Sequence, residues 1–290
     1  MLIQTKKLSN NFELPVFGLG TWTMGGRLEH DIHNDDQRNI SAIKNAIEAG
    51  ITHIDTAEKY AAGYAETLVG KAIRGYDRKD LFLVTKIAEE HLHYNDVETS
   101  LHHSLERLQI DYIDMYMVHG PSPTIPIEET MEALDDLVDK GFIKNLALSN
   151  FTVERFEKAQ RASKHKIVAG QYHFNLKYRE PERKNILDYC QSHDVMFIAW
   201  RPIQKGIIAM TNSPLLKQLC KKYTKTPTQI AINWLISQKN VVTLSKMSTQ
   251  EHLEENLGAL GWSLEKEDVQ KLTTEFPDQQ NISDAVPLID

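Results

Sequence analysis

The sequence predicts an α/β fold, a (β/α)₈ TIM barrel spanning residues 1–290 with an N-terminal β-hairpin and a C-terminal extension. Three observations support this prediction. Eight short apolar, β-branched runs recur about every 30 residues, and segments of helical periodicity lie between them. The runs are continuously apolar, which is typical of parallel strands buried on both faces. A length of 290 residues suits a single domain of this type.

The predicted strands follow one another at regular intervals along the chain. They are Val16–Gly20, Ile51–Asp55, Leu81–Lys86, Tyr112–His119, Ile143–Ser149, Ile167–Gln171, Val195–Trp200 and Val241–Ser245. The leading hairpin is predicted at Leu2–Leu14, with its turn near Asn10 and Asn11. We expect the strands to form one closed parallel sheet, because a helical segment separates each strand from the next.

The predicted helices carry recognisable start and stop signals. Gly50 and Gly141 are placed to end helices, and capping boxes are predicted at Asn95 with Glu98, Thr226 with Gln229, and Ser248 with Glu251. Helical periodicity covers Arg38–Ala49, Asn95–Leu108, Ile127–Lys140, Thr152–Ser163 and Val269–Phe276. The extension after the last of these helices includes Ile282–Asp290, which we expect to lean over the mouth of the barrel by analogy of fold.

Composition excludes several classes of partner. The net charge is −7, so the chain has no general attraction to nucleic acid or to an anionic membrane surface. No apolar run approaches the length of a membrane span, and the first residues lack the layout of a signal peptide. Two cysteines cannot form a disulfide framework. A reducing, cytoplasmic setting is therefore expected, and the oligomeric state is left open.

An open, doubly wound sheet is the competing architecture. It would bind a dinucleotide through a G-x-G-x-x-G turn between its first strand and first helix. Gly18 and Gly20 are followed instead by a polar stretch in which no helix begins. The pattern therefore favours the barrel.

Ionisable residues stand at three successive strand ends. Asp55, Lys86 and His119 end the second, third and fourth predicted strands, and Tyr60 follows Asp55 in the next loop. In a (β/α)₈ barrel, catalytic groups gather at the carboxyl ends of the strands. Each residue alone is more often a cap, a surface lysine or a packed ring, but the ordered set of four indicates a common active site.

The residue types indicate a specific chemistry. A lysine cation lowers the pKa of a nearby phenol, so Tyr60 is predicted to be a general acid tuned by Lys86, with Asp55 holding the lysine. His119 is predicted to orient and polarise a carbonyl oxygen. An acid facing a carbonyl needs an electron donor; no side chain supplies a hydride, and a nicotinamide cofactor would.

Ordered motifs along nearly the whole chain resemble the aldo-keto reductase family. They are Phe17–Trp22, Asp55–Tyr60 with Gly63 and Glu66, Val84–Lys86, Asp111–His119, Leu148–Phe151, Gln171–Asn175 and Glu254–Leu257. The resemblance implies a barrel that reduces aldehydes or ketones with NADPH or NADH and without a metal. It also implies that Asp55, Tyr60, Lys86 and His119 form the catalytic tetrad.

The family pattern extends to the cofactor. The resemblance implies that Ser149, Asn150 and Gln171 hold the nicotinamide carboxamide and that Trp200 stacks on its ring, in a place usually taken by tyrosine. Arg201 is expected either to contact the pyrophosphate or to form an ordinary ion pair. The remaining predicted contacts near this end are Gly20, Thr21, Trp22, Asp55, Pro202 and Ile203.

The adenosine end departs from the family pattern. In NADPH-using relatives a lysine, a serine and a downstream arginine hold the 2′-phosphate; here Lys246 matches the lysine, whereas Met247 and His252 replace the other two. Ser248, which is predicted to begin a helix there, and Glu255 with Asn256 complete the predicted adenosine contacts. NADPH is the predicted cofactor, and NADH or dual use remains open.

The predicted substrate pocket lies at the same mouth. Its walls are expected to be Trp22, Met24, Tyr60, His119 and Gly120. Two other functions are consistent with parts of the sequence. A metal-dependent barrel hydrolase is suggested by His91 and His93, but such an enzyme usually has a His-x-His pair on its first strand, where this chain has glycines. The other is a non-catalytic subunit that senses the nicotinamide cofactor.

Overall fold

The computed structural model describes residues 3–289. Eight parallel strands close into a barrel in the order in which they follow one another along the chain, with the last strand pairing with the first, and two strands nearer the N-terminus form a separate antiparallel pair. The prediction of a (β/α)₈ barrel with an N-terminal hairpin is therefore confirmed. Leu2 and Asp290, which bound the predicted hairpin and tail, lie outside the described residues.

Six of the eight barrel strands begin later than predicted, and the strands at Ile167 and Val241 begin at the predicted residue. The hairpin strands are β1 (Thr5–Lys7) and β2 (Glu13–Pro15); the barrel strands are β3 (Phe17–Gly20), β4 (His53–Asp55), β5 (Phe82–Ile87), β6 (Met115–Val118), β7 (Leu146–Ser149), β8 (Ile167–His173), β9 (Met196–Trp200) and β10 (Val241–Ser245). Ahead of β6 and β7, only a single bridge between Ile113 and Ile143 joins the two chain segments. Ile113 and Ile143 are buried but do not belong to the hydrogen-bonded strands that follow them. A prediction from apolar residues alone therefore began these two strands too early.

Helices follow the barrel strands and cover their outer faces. They are α1 (Asp36–Glu48), α2 (Tyr64–Ile73), α3 (Tyr94–Leu108), α4 (Ile127–Asp139), α5 (Val153–Ala162), α6 (Glu180–Arg183), α7 (Ile186–Ser192), α8 (Ile207–Met210), α9 (Pro214–Tyr223), α10 (Pro227–Ile236), α11 (Gln250–Leu257) and α12 (Lys266–Glu275). Short 3₁₀ turns lie at Tyr60–Gly63, Arg78–Asp80, Glu89–His91 and Gln204–Gly206. No helix within residues 3–289 is long and apolar enough to span a membrane.

Two of the predicted capping boxes are wrong, and one is confirmed. Thr226 and Gln229 cap α10 reciprocally, as predicted. Helix α3 begins at Tyr94 rather than after Asn95, because a carboxylate oxygen of Glu129 on α4 accepts the hydrogen bond of the Tyr94 N–H at 2.9 Å. Helix α11 is capped by Thr249, one residue beyond the predicted Ser248. Local pattern therefore located these three helices, whereas a group from a neighbouring helix decided where α3 begins.

Alternation along each strand divides the apolar residues between two clusters. One cluster fills the barrel interior and includes Val84, Met117, Ala147, Ile198 and Leu244. The other lies between the outer faces of the strands and the helices. Because successive side chains of a strand point to opposite faces, the residue two positions after each inward apolar side chain also points inward, one layer nearer the carboxyl end.

The N-terminal hairpin closes the opposite end of the barrel. Leu8, Phe12 and Leu14 are buried in the same cluster as the interior side chains of the strands. The ring of Phe12 packs edge-on against Phe82 at the start of β5, with centroids 6.0 Å apart. Apolar closure at this end leaves the carboxyl ends of the strands as the face where a ligand can enter.

Candidate active site

The inward positions at the carboxyl ends of the strands bring the predicted catalytic residues together. Val84 and Met117 belong to the interior cluster, so Lys86 and His119, two residues later, lie above them on β5 and directly after β6. Asp55 ends β4, and Tyr60 begins the 3₁₀ turn that follows. The structure therefore places all four side chains around one mouth, as the sequence analysis expected.

Lys86 lies at the centre of this group and contacts two of the other three members. Its ammonium is fully buried and lies 2.5 Å from Asp55 Oδ1, 2.9 Å from the backbone carbonyl of Thr56 and 3.2 Å from the Tyr60 hydroxyl. These three oxygens match the three donors of an ammonium group. Lys86 is therefore held in one position, with one donor directed at the phenol.

The charge state of the group follows from its burial and its partners. Burial alone would lower the pKa of Lys86, but the Asp55 carboxylate and the Tyr60 oxygen together raise it. Removal of the phenol from water raises the pKa of Tyr60, and the nearby Lys86 cation offsets this increase only in part. As predicted, the Lys86 cation acts to lower the pKa of Tyr60, but burial outweighs the cation, so the net pKa lies above that of an ordinary tyrosine. Tyr60 carries its proton at neutral pH.

His119 faces the same mouth as a neutral ring. Burial, followed by the positive charges of Lys86 and Lys59, lowers its pKa well below 6.5. Its ring packs edge-on against Tyr60 with centroids 5.6 Å apart, and its buried Nδ1 has no hydrogen-bond partner among the described residues. Trp22 packs on Tyr60 at 4.9 Å. The phenol hydroxyl is thus flanked by aromatic rings and by one cation.

The predicted carboxamide-binding residues form a connected polar network. Ser149 Oγ donates to the Gln171 carbonyl at 3.2 Å, Asn150 Nδ2 donates to Ser149 Oγ at 3.0 Å, and Gln171 Nε2 donates to Asp55 Oδ2 at 2.8 Å. Asp55 therefore receives both Lys86 and Gln171. The buried Oδ1 of Asn150 has no hydrogen-bond partner among residues 3–289, so it remains able to accept one from a ligand.

Trp200 ends β9 beside this network and packs against the barrel interior. The residues after it turn sharply, since Arg201 and Gln204 both have positive φ. Arg201 Nη1 lies 3.5 Å from Asp284 Oδ1, so the ion pair that the sequence analysis left open is present. Pro202 is buried and Ile203 is partly buried in the same turn.

A separate cavity of about 250 Å³ lies between α1 and the start of α11. We call it the outer cavity; its walls are Arg38, Ser41, Ala42, Asn45, Met247, Ser248, Thr249, Gln250 and Leu253. Met247 is almost fully buried, whereas Arg38 and the adjoining Lys246 are exposed. The positive charge of Arg38 contributes, after burial, to lowering the pKa of Lys246.

The other predicted adenosine contacts lie on or beside α11. Thr249 Oγ1 accepts the hydrogen bond of the His252 N–H, which fixes the first turn of the helix. Glu255 Oε1 accepts from Thr226 Oγ1 at 3.1 Å, which ties α11 to α10, and Asn256 is buried. Lys246 Nζ donates to Thr23 Oγ1 at 2.5 Å.

The predicted substrate walls divide into two groups. Trp22 borders both Tyr60 and a cavity of about 480 Å³ that Arg27, Leu28 and Glu29 also line. Met24, in contrast, is fully buried in the outer apolar cluster, so it presents no surface to a ligand at the mouth.

The residues beside these walls are held by the barrel. Thr21 is buried, with its N–H and Oγ1 donating to the Asp55 carbonyl, and Gly20 ends β3. Gly120 packs so closely on Glu89 that a Cβ there would lie 2.5 Å from Glu89 Oε1.

The suggested metal ligands do not converge. His91 Nδ1 lies 3.1 Å from Glu58 Oε1, and His93 Nδ1 lies 3.2 Å from Glu129 Oε1. The two histidines are therefore engaged by different glutamates on different elements.

Sequence reasoning missed two residues at or near the site, His173 and Arg38. His173 lies two positions after Gln171 on β8, so the strand period already placed it on the same face. Arg38 had no such signal, because it reaches the outer cavity from a helix that is distant from Lys246 in sequence. Gln204, which the sequence placed in a loop expected to fold over the pyrophosphate, lies in the irregular turn after Trp200.

Comparison with known proteins gives a consistent result. A sequence model of the aldo/keto reductase family matches residues 16–274. A glyoxal reductase of Bacillus subtilis (strain 168) is 31% identical, with 93% of this chain and 92% of that protein covered. The fold of the present chain is similar to that of the thermostable aldo-keto reductase Tm1743, solved with the inhibitor epalrestat. The TM-score is 0.89 and the identity 38%, with 93% of this chain and 99% of that chain covered. The fold is also similar to that of an aldo/keto reductase from Klebsiella pneumoniae solved with NADP and acetate. Here the TM-score is 0.86 and the identity 30%, with 99% of this chain and 100% of that chain covered.

Proposed function

Because the chain belongs to the aldo/keto reductase family, we propose that it reduces aldehydes or ketones to alcohols with NADPH, and that Tyr60 is the general acid. The observation that carries this proposal is the contact of the buried Lys86 ammonium with both Asp55 and the Tyr60 hydroxyl. This arrangement holds one phenol proton at the mouth and places a cation where negative charge would develop as that proton leaves.

The residues divide the chemistry between them. Tyr60 delivers its proton to the carbonyl oxygen, and Lys86 stabilises the phenolate that remains. Asp55 keeps Lys86 charged and directed, which the raised pKa of Lys86 reflects. His119 is neutral, so its ring can donate a hydrogen bond to the carbonyl oxygen without adding a second cation. A reduced nicotinamide, when bound, supplies the hydride.

The mouth fits the carboxamide of such a cofactor. An amide ligand needs both an acceptor and donors at fixed positions, and Asn150 Oδ1 is a buried acceptor with no partner among the described residues. Ser149 and Gln171 are fixed beside it by hydrogen bonds. We therefore assign the carboxamide to Ser149, Asn150 and Gln171, and the flat face of the nicotinamide to Trp200.

The outer cavity supports NADPH rather than NADH. Arg38 and Lys246 are two neighbouring cations, and within residues 3–289 no carboxylate lies in salt-bridge distance of either one. Like charges repel, so an anion between them would be stabilised. We assign the 2′-phosphate to Arg38 and Lys246, with Ser248 and His252 beside it, and the adenine to Glu255 and Asn256.

The substrate is proposed to be a small carbonyl compound that enters past Trp22. The cavity beside Trp22 is open to solvent, and a relative of similar length is a glyoxal reductase. Both cysteines, Cys190 and Cys220, are unpaired, which supports a reducing, cytoplasmic setting.

The decisive experiment replaces the proposed acid. Tyr60→Phe removes the hydroxyl and keeps the ring, so carbonyl reduction should fall by about 10²–10⁴-fold while the Kd of NADPH stays nearly unchanged. Initial rates over an aldehyde panel and a fluorescence titration measure the two quantities. Tyr76→Phe is the matched control, because among the described residues the Tyr76 hydroxyl hydrogen-bonds only to the exposed Glu48.

Two outcomes would contradict the proposal. An unimpaired Tyr60→Phe enzyme would show that this phenol is not the acid. A wild-type chain that binds NADPH tightly and turns over no carbonyl would instead be a cofactor-sensing subunit.

A further inference from the structure

Behind Trp200 stands a column of three flat rings. His173 stacks on Trp200 with centroids 4.5 Å apart and planes 16° from parallel, and on Tyr178 at 4.7 Å and 24°. His173 is buried, whereas Trp200 is partly exposed at the mouth. One face of the indole is therefore covered by an imidazole, which is in turn backed by a phenol.

The hydrogen bonds around His173 fix one tautomer. Gln204 Nε2 donates to the Asp284 carboxylate at 2.9 Å, so its Oε1 is the atom that faces His173 Nε2 at 2.8 Å. Asn175 Nδ2 also lies 3.3 Å from Nε2, but its shortest hydrogen bond goes to the Arg201 carbonyl at 2.9 Å. We therefore place the proton on Nε2, which donates to Gln204 Oε1. Ser283 Oγ accepts from the N–H groups of Ala285 and Val286, so its hydroxyl proton is directed at His173 Nδ1, 2.7 Å away.

The neutral state of the ring agrees with this assignment. Burial lowers the pKa of His173 to about 4, so the imidazole has one donor and one acceptor at neutral pH. Those two groups meet one acceptor on Gln204 and one donor on Ser283. The ring cannot rotate about its Cβ–Cγ bond without losing both hydrogen bonds, and its plane is therefore fixed.

The partners of His173 come from a part of the chain that is distant in sequence. Ser283 and Asp284 belong to the C-terminal segment, which we define as residues 280–288. The buried Glu180 carboxylate anchors this segment by accepting from the N–H groups of Ser283 and Leu288 at 2.8 and 3.0 Å. Gln204 is itself buried, in the turn that follows Trp200.

We infer that His173 is a positioning residue for the nicotinamide, and that the C-terminal segment acts through Ser283 and His173 to set the plane of Trp200. This inference rests on the proposed function, in which the open face of Trp200 receives the cofactor ring. A purely packing residue at this place would need only a flat apolar ring. The two directional hydrogen bonds fix the plane of the His173 ring, on which Trp200 stacks, and packing alone would not fix that plane.

The test compares two substitutions that damage the column differently. His173→Phe keeps a stacking ring and loses both hydrogen bonds; Ser283→Ala keeps His173 and loses one of them. Ser192→Ala is the matched control, because within residues 3–289 the hydroxyl it removes hydrogen-bonds only to its own helix and to His193. For each variant, calorimetry gives the Kd of NADPH and of 2′,5′-ADP, which has the adenosine half of the cofactor and no nicotinamide.

The expected result is specific to the nicotinamide half. In both variants the Kd of NADPH should rise by about 2- to 10-fold, the fold-change that corresponds to one aromatic contact, while the Kd of 2′,5′-ADP stays unchanged. The deuterium isotope effect with 4-deuterated NADPH should increase, because a less well held ring slows hydride transfer. Equal weakening of both ligands, or no change in either, would overturn the inference.

The binding measurements remain informative if the proposed function is wrong. A wild-type chain that reduces no carbonyl would refute the proposed reaction, but the comparison of NADPH with 2′,5′-ADP would still show whether His173 and Ser283 act on the nicotinamide end.

Discussion

The mouth of the barrel and the outer cavity differ in the burial and the pairing of their charged side chains. At the mouth, Lys86 and Asp55 are buried and paired, with side-chain exposures of 0% and 2%. At the outer cavity, Arg38 and Lys246 are exposed and lack a carboxylate partner among residues 3–289. A buried charge interacts strongly with its neighbours, whereas an exposed one is screened by water and salt.

This difference assigns different roles to the two regions. Fixed partners at the mouth position the reacting groups before any ligand arrives, which catalysis requires. Unpaired cations at the outer cavity leave their charge available to a ligand, which suits selection between cofactors. Substitutions at the mouth should therefore have large effects on rate, and those at the outer cavity should have modest, salt-dependent effects on affinity.

The largest effect is expected from Lys86→Met. It should lower the reduction rate by about 10³-fold, because the phenolate loses its cation. It should also lower the free energy of unfolding by about 3–5 kcal/mol, because the buried Asp55 carboxylate keeps only its hydrogen bond from Gln171 and loses its neutralising charge. Steady-state kinetics and urea unfolding measure the two losses.

A double variant separates stability from catalysis at the mouth. Asp55→Asn combined with Lys86→Met removes both charges, so much of the stability should return while the rate stays low. Recovery of the rate in the double variant would show that the ion pair serves stability alone.

An intermediate effect is expected from Arg38→Gln. The Kd of NADPH should rise about tenfold and that of NADH should not change, since a single charge-assisted contact to the 2′-phosphate is lost. Calorimetry at low and high salt checks this, and the difference between the cofactors should shrink as salt increases. Lys44→Gln on the same helix, outside the cavity walls, is the control. Equal loss for both cofactors would remove Arg38 from the phosphate site.

The smallest effect on the reduction rate is expected from a change in pH. In the proposed mechanism, reduction needs a protonated Tyr60 and a neutral His119. Burial raises the pKa of Tyr60 above 10, so the phenol loses its proton only at higher pH; burial also lowers the pKa of His119 well below 6.5, so its ring gains a proton only at lower pH. The kcat for reduction should therefore vary by less than about twofold between pH 6 and 9. An inflection near pH 6.5 would contradict the neutral assignment of His119.

Much of the mouth was predictable because strand ends and the period of two are local properties. Asp55, Lys86 and His119 were found from apolar runs that stop at ionisable residues, and the barrel brings them to one side. The net pKa of Tyr60 was not predictable in the same way. It depends on how far the fold removes the phenol from water, which outweighs the cation that the sequence revealed.

The sequence by itself determined the alternation of strands and helices, the face on which each strand-end residue lies, and the residue types that can perform proton transfer. These features arise from interactions between residues close in the chain. Only the tertiary structure decided three contacts between distant residues. Glu129 on α4 accepts a hydrogen bond from the first residue of α3, Arg38 lies near Lys246, and Ser283 hydrogen-bonds to the ring of His173. Each of these pairs joins distant segments, and their proximity depends on how the closed barrel packs its helices and its C-terminal segment.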